Sequence, residues 1–116
     1  MSGYETIQSL AQAAFEAHEL PEDFIIEELD GFESQDNGSD IEMSRKIYYR
    51  PDEDGDSLTA YFNVRIATDT LDIEEAYCIA SAGGVLVGEF TDESRRAAYE
   101  DAGVPDPRAA HAVSPT

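Results

Sequence analysis

The chain has 116 residues, 41% of them hydrophobic, with six Tyr, five Phe and a formal charge of −19 from 26 acids against seven bases. That is enough apolar material for one packed domain, too little length for two, and too many aromatics for an acidic disordered tail. Seven bases argue against direct binding to nucleic acid or to anionic membranes, because phosphate recognition rests on Lys and Arg.

Ser2 followed by Glu5 has capping-box spacing, and Tyr4, Ile7, Leu10, Ala11, Ala14, Phe15 and His18 recur at helical intervals. The pattern predicts an amphipathic helix that stops near Leu20, since Pro21 disfavours helix in the residue before it. His18 falls at that end, where the helix dipole favours it. From Glu22 to Leu29 the apolar residues Phe24, Ile25, Ile26 and Leu29 sit among carboxylates in a segment that fits a short helix or a strand, with the balance towards strand. Gly31 to Asp40 is a loop by composition.

From Ile41 the period becomes two. Ile41, Met43, Ile47 and Tyr49 face one way, with Arg45 the exception among them, and Glu42, Ser44, Lys46 and Arg50 face the other. After the polar turn at 51–57, Leu58, Ala60, Phe62, Val64 and Ile66 alternate with Thr59, Tyr61, Asn63 and Arg65, so the two strands are expected to form an antiparallel hairpin. A third strand is expected over Leu71 to Ala80 with Ile73, Tyr77 and Ile79 inward, then a turn at Gly83 and Gly84 and a fourth strand, VLVGEF. Thr91, with Asp92 and Glu93 after it, starts a second helix that Gly103 ends. The expected fold is α+β: a four-stranded antiparallel meander packed against an N-terminal helix, with a short C-terminal helix. Residues 1–103 form the expected domain and 104–116 a flexible tail.

Motifs of chemistry are few. Asp52 to Asp56 fails the calcium-loop register, which needs Gly at Ser57 and Glu at Asn63. His18 and His111 have no companion at metal-ligand spacing, and the lone Cys78 can form neither a thiolate site nor an internal disulfide. There is no nucleophile elbow, and Gly83-Gly84 is too short to cradle phosphate. No catalytic residue, metal or cofactor is expected, and the protein is not expected to be an enzyme. The N-terminus lacks the basic start and unbroken apolar run of a signal peptide, and no window approaches a ~20-residue membrane span. A soluble protein of a reducing, cytoplasmic compartment fits these features.

The charge is the remaining signal, and it is uneven. Residues 1–44 hold twelve acids and no Lys or Arg, a charge of −12, whereas the other 72 residues carry −7. Eleven carboxylates lie between Glu16 and Glu42. Duplex DNA carries one charge per roughly 1.7 Å of axis, and a folded run of acids at this density can enter a groove of Lys and Arg built for phosphates. The candidate partner-binding residues are Glu19, Glu22, Asp23, Glu27, Glu28, Asp30 and Glu33.

In size, in this acidic run and in the further clusters at Asp52 to Asp56 and Asp69 to Glu75, the chain resembles the phage-encoded acidic inhibitors that mimic DNA, the anti-restriction proteins and some anti-CRISPR proteins. The likeness is one of class and rests on no family motif. It implies a cytoplasmic inhibitor in a bacterial host cell that blocks a basic nucleic-acid-binding protein or ribonucleoprotein complex, as a monomer or a homodimer. Arg45, Lys46, Arg50 and Arg65 depart from a uniformly acidic surface, which counts against a mimic covering the whole protein and leaves room for a one-sided one. Two other readings fit the composition: an acidic adaptor or secretion-chaperone-like domain that binds a polypeptide through its sheet, and a salt-adapted domain, since there is one Lys against six Arg.

Overall fold

A computed structural model describes residues 3–22, 24–50 and 54–108. Ser2 of the expected capping box, Asp23, Asp52 and Glu53 of the acidic turn, and His111 with the rest of 109–116 lie outside the described residues. The element order is α1 (Gly3–Ala17), β1 (Ile25–Leu29), β2 (Glu33–Asp36), β3 (Asp40–Arg50), β4 (Leu58–Ala67), β5 (Ile73–Ala80) and α2 (Asp92–Ala102). The architecture is α+β, an open antiparallel sheet with the helices on one face. No helix among the described residues is long and apolar enough to cross a membrane.

The long β3–β4 hairpin is the spine, and its register pairs Met43 with Val64, Arg45 with Phe62 and Ile47 with Ala60. The two-residue alternation therefore holds, and Ile41, Met43, Ile47, Ala60, Phe62, Val64 and Ile66 are all buried. Onto this face α1 lays Ile7, Leu10, Ala11, Ala14 and Phe15, with the Phe15 ring edge-on to Phe62 at 5.4 Å. Removing a side chain such as Leu10 or Phe62 from such a layer costs about 2–5 kcal/mol, the lost transfer energy plus the cavity.

Three sequence expectations need correction. The segment 31–40 is not simply a loop: Glu33 to Asp36 pairs with Ser44 to Ile41 as β2, because β3 is long enough to seat two short strands on one edge. VLVGEF is not a fourth strand of the meander but a strap, held by single bridges from Leu86 to Ile79 and from Glu89 to Glu19. The strap crosses the end of α1 because Gly88, at φ +71°, turns it there; a Cβ at that position would lie 2.1 Å from Glu19 O. Finally, the inward set of β5 shifts. A bulge between Arg65 and Ile66 of β4 accommodates an extra residue in β5, so Ile73 is buried as expected but Cys78 and Ala80 replace Tyr77 and Ile79 on the core side.

The second helix follows its sequence signals. Thr91 caps it through a reciprocal box with Ser94, and Gly103 closes it at φ +70° with bonds to Glu100 O and Tyr99 O. The chain then stays attached beyond residue 103. Asp106 accepts from Arg95 at 2.9 Å and Arg108 reaches Asp72 at 2.9 Å, so 104–108 are tied to α2 and to the turn before β5.

Candidate functional site

The acids of the N-terminal run are gathered by the pairing of β1 and β2 along the same edge of β3. Ile26 stands opposite Tyr49, Glu28 opposite Tyr48, Leu29 opposite Ile47 and Glu33 opposite Ser44. A bulge at Glu27 breaks the alternation, which turns Glu27 and Glu28 together towards the outer face. The outer side of this edge therefore carries Glu27, Glu28, Asp30 and Glu33 in sequence over five residues of β3, or about 17 Å at the usual strand rise, whereas Asp36, opposite the buried Ile41, turns to the other side and accepts from Gly38 N.

The seven sequence candidates do not all meet there. Glu27, Glu28, Asp30 and Glu33 share the edge. Glu22 is exposed in the turn before β1, and Asp23 lies outside the described residues. Glu19 belongs to another place, the end of α1, where its backbone bridges Glu89 and its carboxylate accepts from Thr91 Oγ1 at 3.2 Å. Linear spacing hid this division, since the turn at 20–24 carries the chain from the helical layer to the sheet edge.

Two of the four edge acids already have partners. Glu27 pairs with Arg50 at 2.6 Å and accepts from Ser57, and Asp30 accepts from the Tyr48 hydroxyl at 3.3 Å. Glu28 and Glu33 make no side-chain hydrogen bond or ion pair among the described residues and face solvent.

The outer face beside this edge is less basic than its sequence suggests. Arg65 is ringed by Asp40, Glu74 and Glu75 at 3.8, 3.2 and 3.0 Å, and the Glu74 hydrogen bond raises its pKa against a smaller effect of burial. Lys46 lies over the Tyr48 ring at 5.2 Å. With Arg50 committed to Glu27, the outward cations answer neighbouring acids or rings, and the face does not offset the edge. The register also carries the acids across the sheet: Glu33, Ser44, Asn63 and Tyr77 form one transverse row, and Gln35, Glu42, Arg65 and Glu75 the next. Between these rows lies a shallow groove of about 210 Å³.

Arg45, the basic exception on the inward face, holds the edge to the helix. Its guanidinium lies 4.9 Å from the Phe15 ring centre and 4.7 Å from that of Phe32, and it donates to Asp30 O at 2.9 Å and Gln12 Oε1 at 3.2 Å. Burial lowers its pKa, opposed by the charges of Glu16 and Asp30. The residue that interrupts the apolar alternation thus fixes the path of the chain between β1 and β2.

His18 has a different role from the dipole partner its position suggested. It is 7% exposed, its Nε2 lies 3.0 Å from Val87 O, and its ring stacks on Phe90 and meets Phe62 edge-on. Since a carbonyl only accepts, Nε2 carries the proton, and the imidazole pins the strap to α1.

No group of three or more His, Cys, Asp or Glu among the described residues is arranged to hold a metal ion. Cys78 is buried between the sheet and the helices, and burial pushes its thiol up to about 11. A second hollow of about 730 Å³ lies between α2 and the 103–108 segment, where Arg95 and Arg108 are held by Asp72 and Asp106. The family models, curated proteins and solved structures compared with this chain include none that matches it.

Proposed function

We propose that this protein is an acidic inhibitor that occupies a basic nucleic-acid-binding site of another protein or ribonucleoprotein, with the β1–β2 edge and the adjoining outer face as its contact surface. The observation that supports this reading most is the alignment of β1 and β2 on one edge of β3, which brings four acids to one side of that edge. One DNA strand presents a phosphate every ~3.4 Å, or about five over the same length. The edge alone is therefore sparser than a strand, and Glu42 on the neighbouring row adds to it. Counterion release from both surfaces would favour the complex and make it sensitive to salt. A bacterial defence complex of the kind blocked by anti-CRISPR and anti-restriction proteins is the target class that the resemblance in size and charge suggests.

The test is affinity capture from a bacterial lysate at ~50 mM and then about 500 mM salt, with added duplex DNA as competitor. A nucleic-acid-binding complex that is released by both treatments, and is lost from the Glu28→Gln/Glu33→Gln variant, supports the reading. Capture that neither DNA nor salt affects overturns it.

A second reading, adaptation to high salt, has its own observation. Acids are not confined to the sheet edge, since Glu16, Glu100 and Asp101 meet where α1 and α2 run together. It predicts a domain that unfolds at low salt and regains its structure only near molar concentrations, which circular dichroism across a salt series would reveal.

A further inference from the structure

The edge that carries the acids also carries uncovered apolar surface. Ile25, Ile26 and Leu29 of β1 are 43%, 38% and 38% exposed, so three of the five side chains in this strand are large hydrophobes left partly in water. No strand among the described residues pairs with the far side of β1. Asp30 N–H reaches Lys46 O at 3.0 Å, and in an antiparallel ladder the hydrogen-bonding direction alternates. Leu29, one residue before it and opposite Ile47, therefore directs its own N–H and C=O outward. A free backbone edge flanked by apolar side chains is a template for an added strand.

What could cover it is restricted by charge. A second copy would bring Glu27, Glu28 and Asp30 of both chains to one seam, between molecules of charge −19 each. Like charges placed across a strand pair are destabilising. The same carboxylates attract a strand that alternates apolar residues with Lys or Arg: its apolar side meets Ile26 and Leu29, and its basic side meets Glu27, Glu28 and Asp30.

We infer that β1 is a docking edge that takes up an extended, basic segment of the partner as an additional antiparallel strand. This rests on the proposed function and makes it more specific: the complex has a directional main-chain and apolar component besides its electrostatic one. Removal of the carboxylates and removal of the edge are then separable perturbations.

The experiment uses the full chain and two synthetic ten-residue peptides of equal charge, one alternating Lys and Val and one with Pro replacing two central Val. Binding is read by fluorescence anisotropy at about 0.15 M salt, and protection of the β1 amides by hydrogen exchange. The expected result is that the alternating peptide binds at least about tenfold tighter than the Pro-containing one, protects the Leu29 amide, and loses about tenfold in affinity to Leu29→Pro. Pro is tolerated at an edge position whose N–H faces outward. Because Leu29→Pro also restricts the backbone of β1, Leu29→Ser is measured alongside; it keeps the N–H and is expected to lose about threefold by reduced apolar contact. Equal binding of both peptides, insensitive to either substitution, overturns the docking edge. Protection of Leu29 in the protein alone, with a dimer in sedimentation, overturns the choice of occupant. Neither result removes a DNA-displaceable partner from the lysate experiment, so failure of this inference is distinguishable from failure of the proposed function.

Discussion

Glu19 and Glu89 are joined by a reciprocal backbone bridge, N to O at 2.9 Å one way and 2.8 Å the other, although both side chains are acids. The bridge fastens the strap after β5 to the end of α1, and the close approach it requires is possible only because Gly88 has no side chain. Gly88→Ala combines a left-handed conformation with a Cβ 2.1 Å from Glu19 O. The strain and the two lost hydrogen bonds together come to about 3 kcal/mol. Chemical denaturation should show that loss in a lowered midpoint, and an unchanged midpoint would mean that the strap is not held there.

Arg45 offers a test of how the acidic edge is attached. Lys at this position keeps the charge but cannot lie flat against Phe15 and Phe32 while donating to Asp30 O and Gln12. Arg45→Lys is expected to lower stability by about 1–2 kcal/mol through the lost stacking and hydrogen bonds. It should also speed amide exchange in β1 and β2 more than in β4. Uniform loss across the sheet would show that Arg45 serves the core and not the edge.

Tyr99 is the polar anchor of the other end of the sheet. Its hydroxyl donates to Leu71 O at 2.6 Å and accepts from Ile73 N at 2.8 Å. Tyr99→Phe leaves both backbone groups without this partner and is expected to cost about 2 kcal/mol, read from thermal or denaturant unfolding.

Two buried acids set the alkaline limit of stability. Burial raises Cys78 from 9.0 to about 11 and raises Tyr99 above 10.0. A group whose folded pKa lies above its unfolded value contributes fully below the unfolded pKa and loses that contribution as pH climbs through the folded one. Stability should therefore fall from about pH 9 upward, with the Cys78 part lost through about 11. Cys78→Ala should flatten the first part of that decline. At neutral pH the native thiol should resist iodoacetamide and react only on unfolding.

For the acidic edge, Glu28 and Glu33 are the pair whose change should affect binding alone. Glu28→Gln/Glu33→Gln should leave the unfolding midpoint within about 0.5 kcal/mol of wild type, since exposed acids without partners contribute little. Glu27→Gln should alter stability as well, because it removes the 2.6 Å ion pair with Arg50. Equal effects of both variants on stability would mean that Glu28 or Glu33 has a structural role after all.

The sequence by itself determined the elements whose signals are local. Alternation from Ile41 to Ile66 defined the hairpin and its buried face, the 3.6-residue pattern defined α1, and Thr91 and Gly103 set the ends of α2, because each depends on neighbours within one turn or one pleat. It also established the acidic N-terminal third as a property of the chain. What only the tertiary structure decided depends on residues distant in sequence. Glu33 to Asp36 became a strand because β3 offered a free edge; the bulge opposite Arg65 exchanged Tyr77 and Ile79 for Cys78 and Ala80; and VLVGEF became a strap because Glu19 and His18 were there to bind it. The same holds for the candidate site. The spacing of the acids placed seven together, but the turn before β1 separated Glu19 from the edge, and pairing of Glu27 with Arg50 and of Asp30 with Tyr48 left Glu28 and Glu33 as the edge acids without a side-chain partner among the described residues.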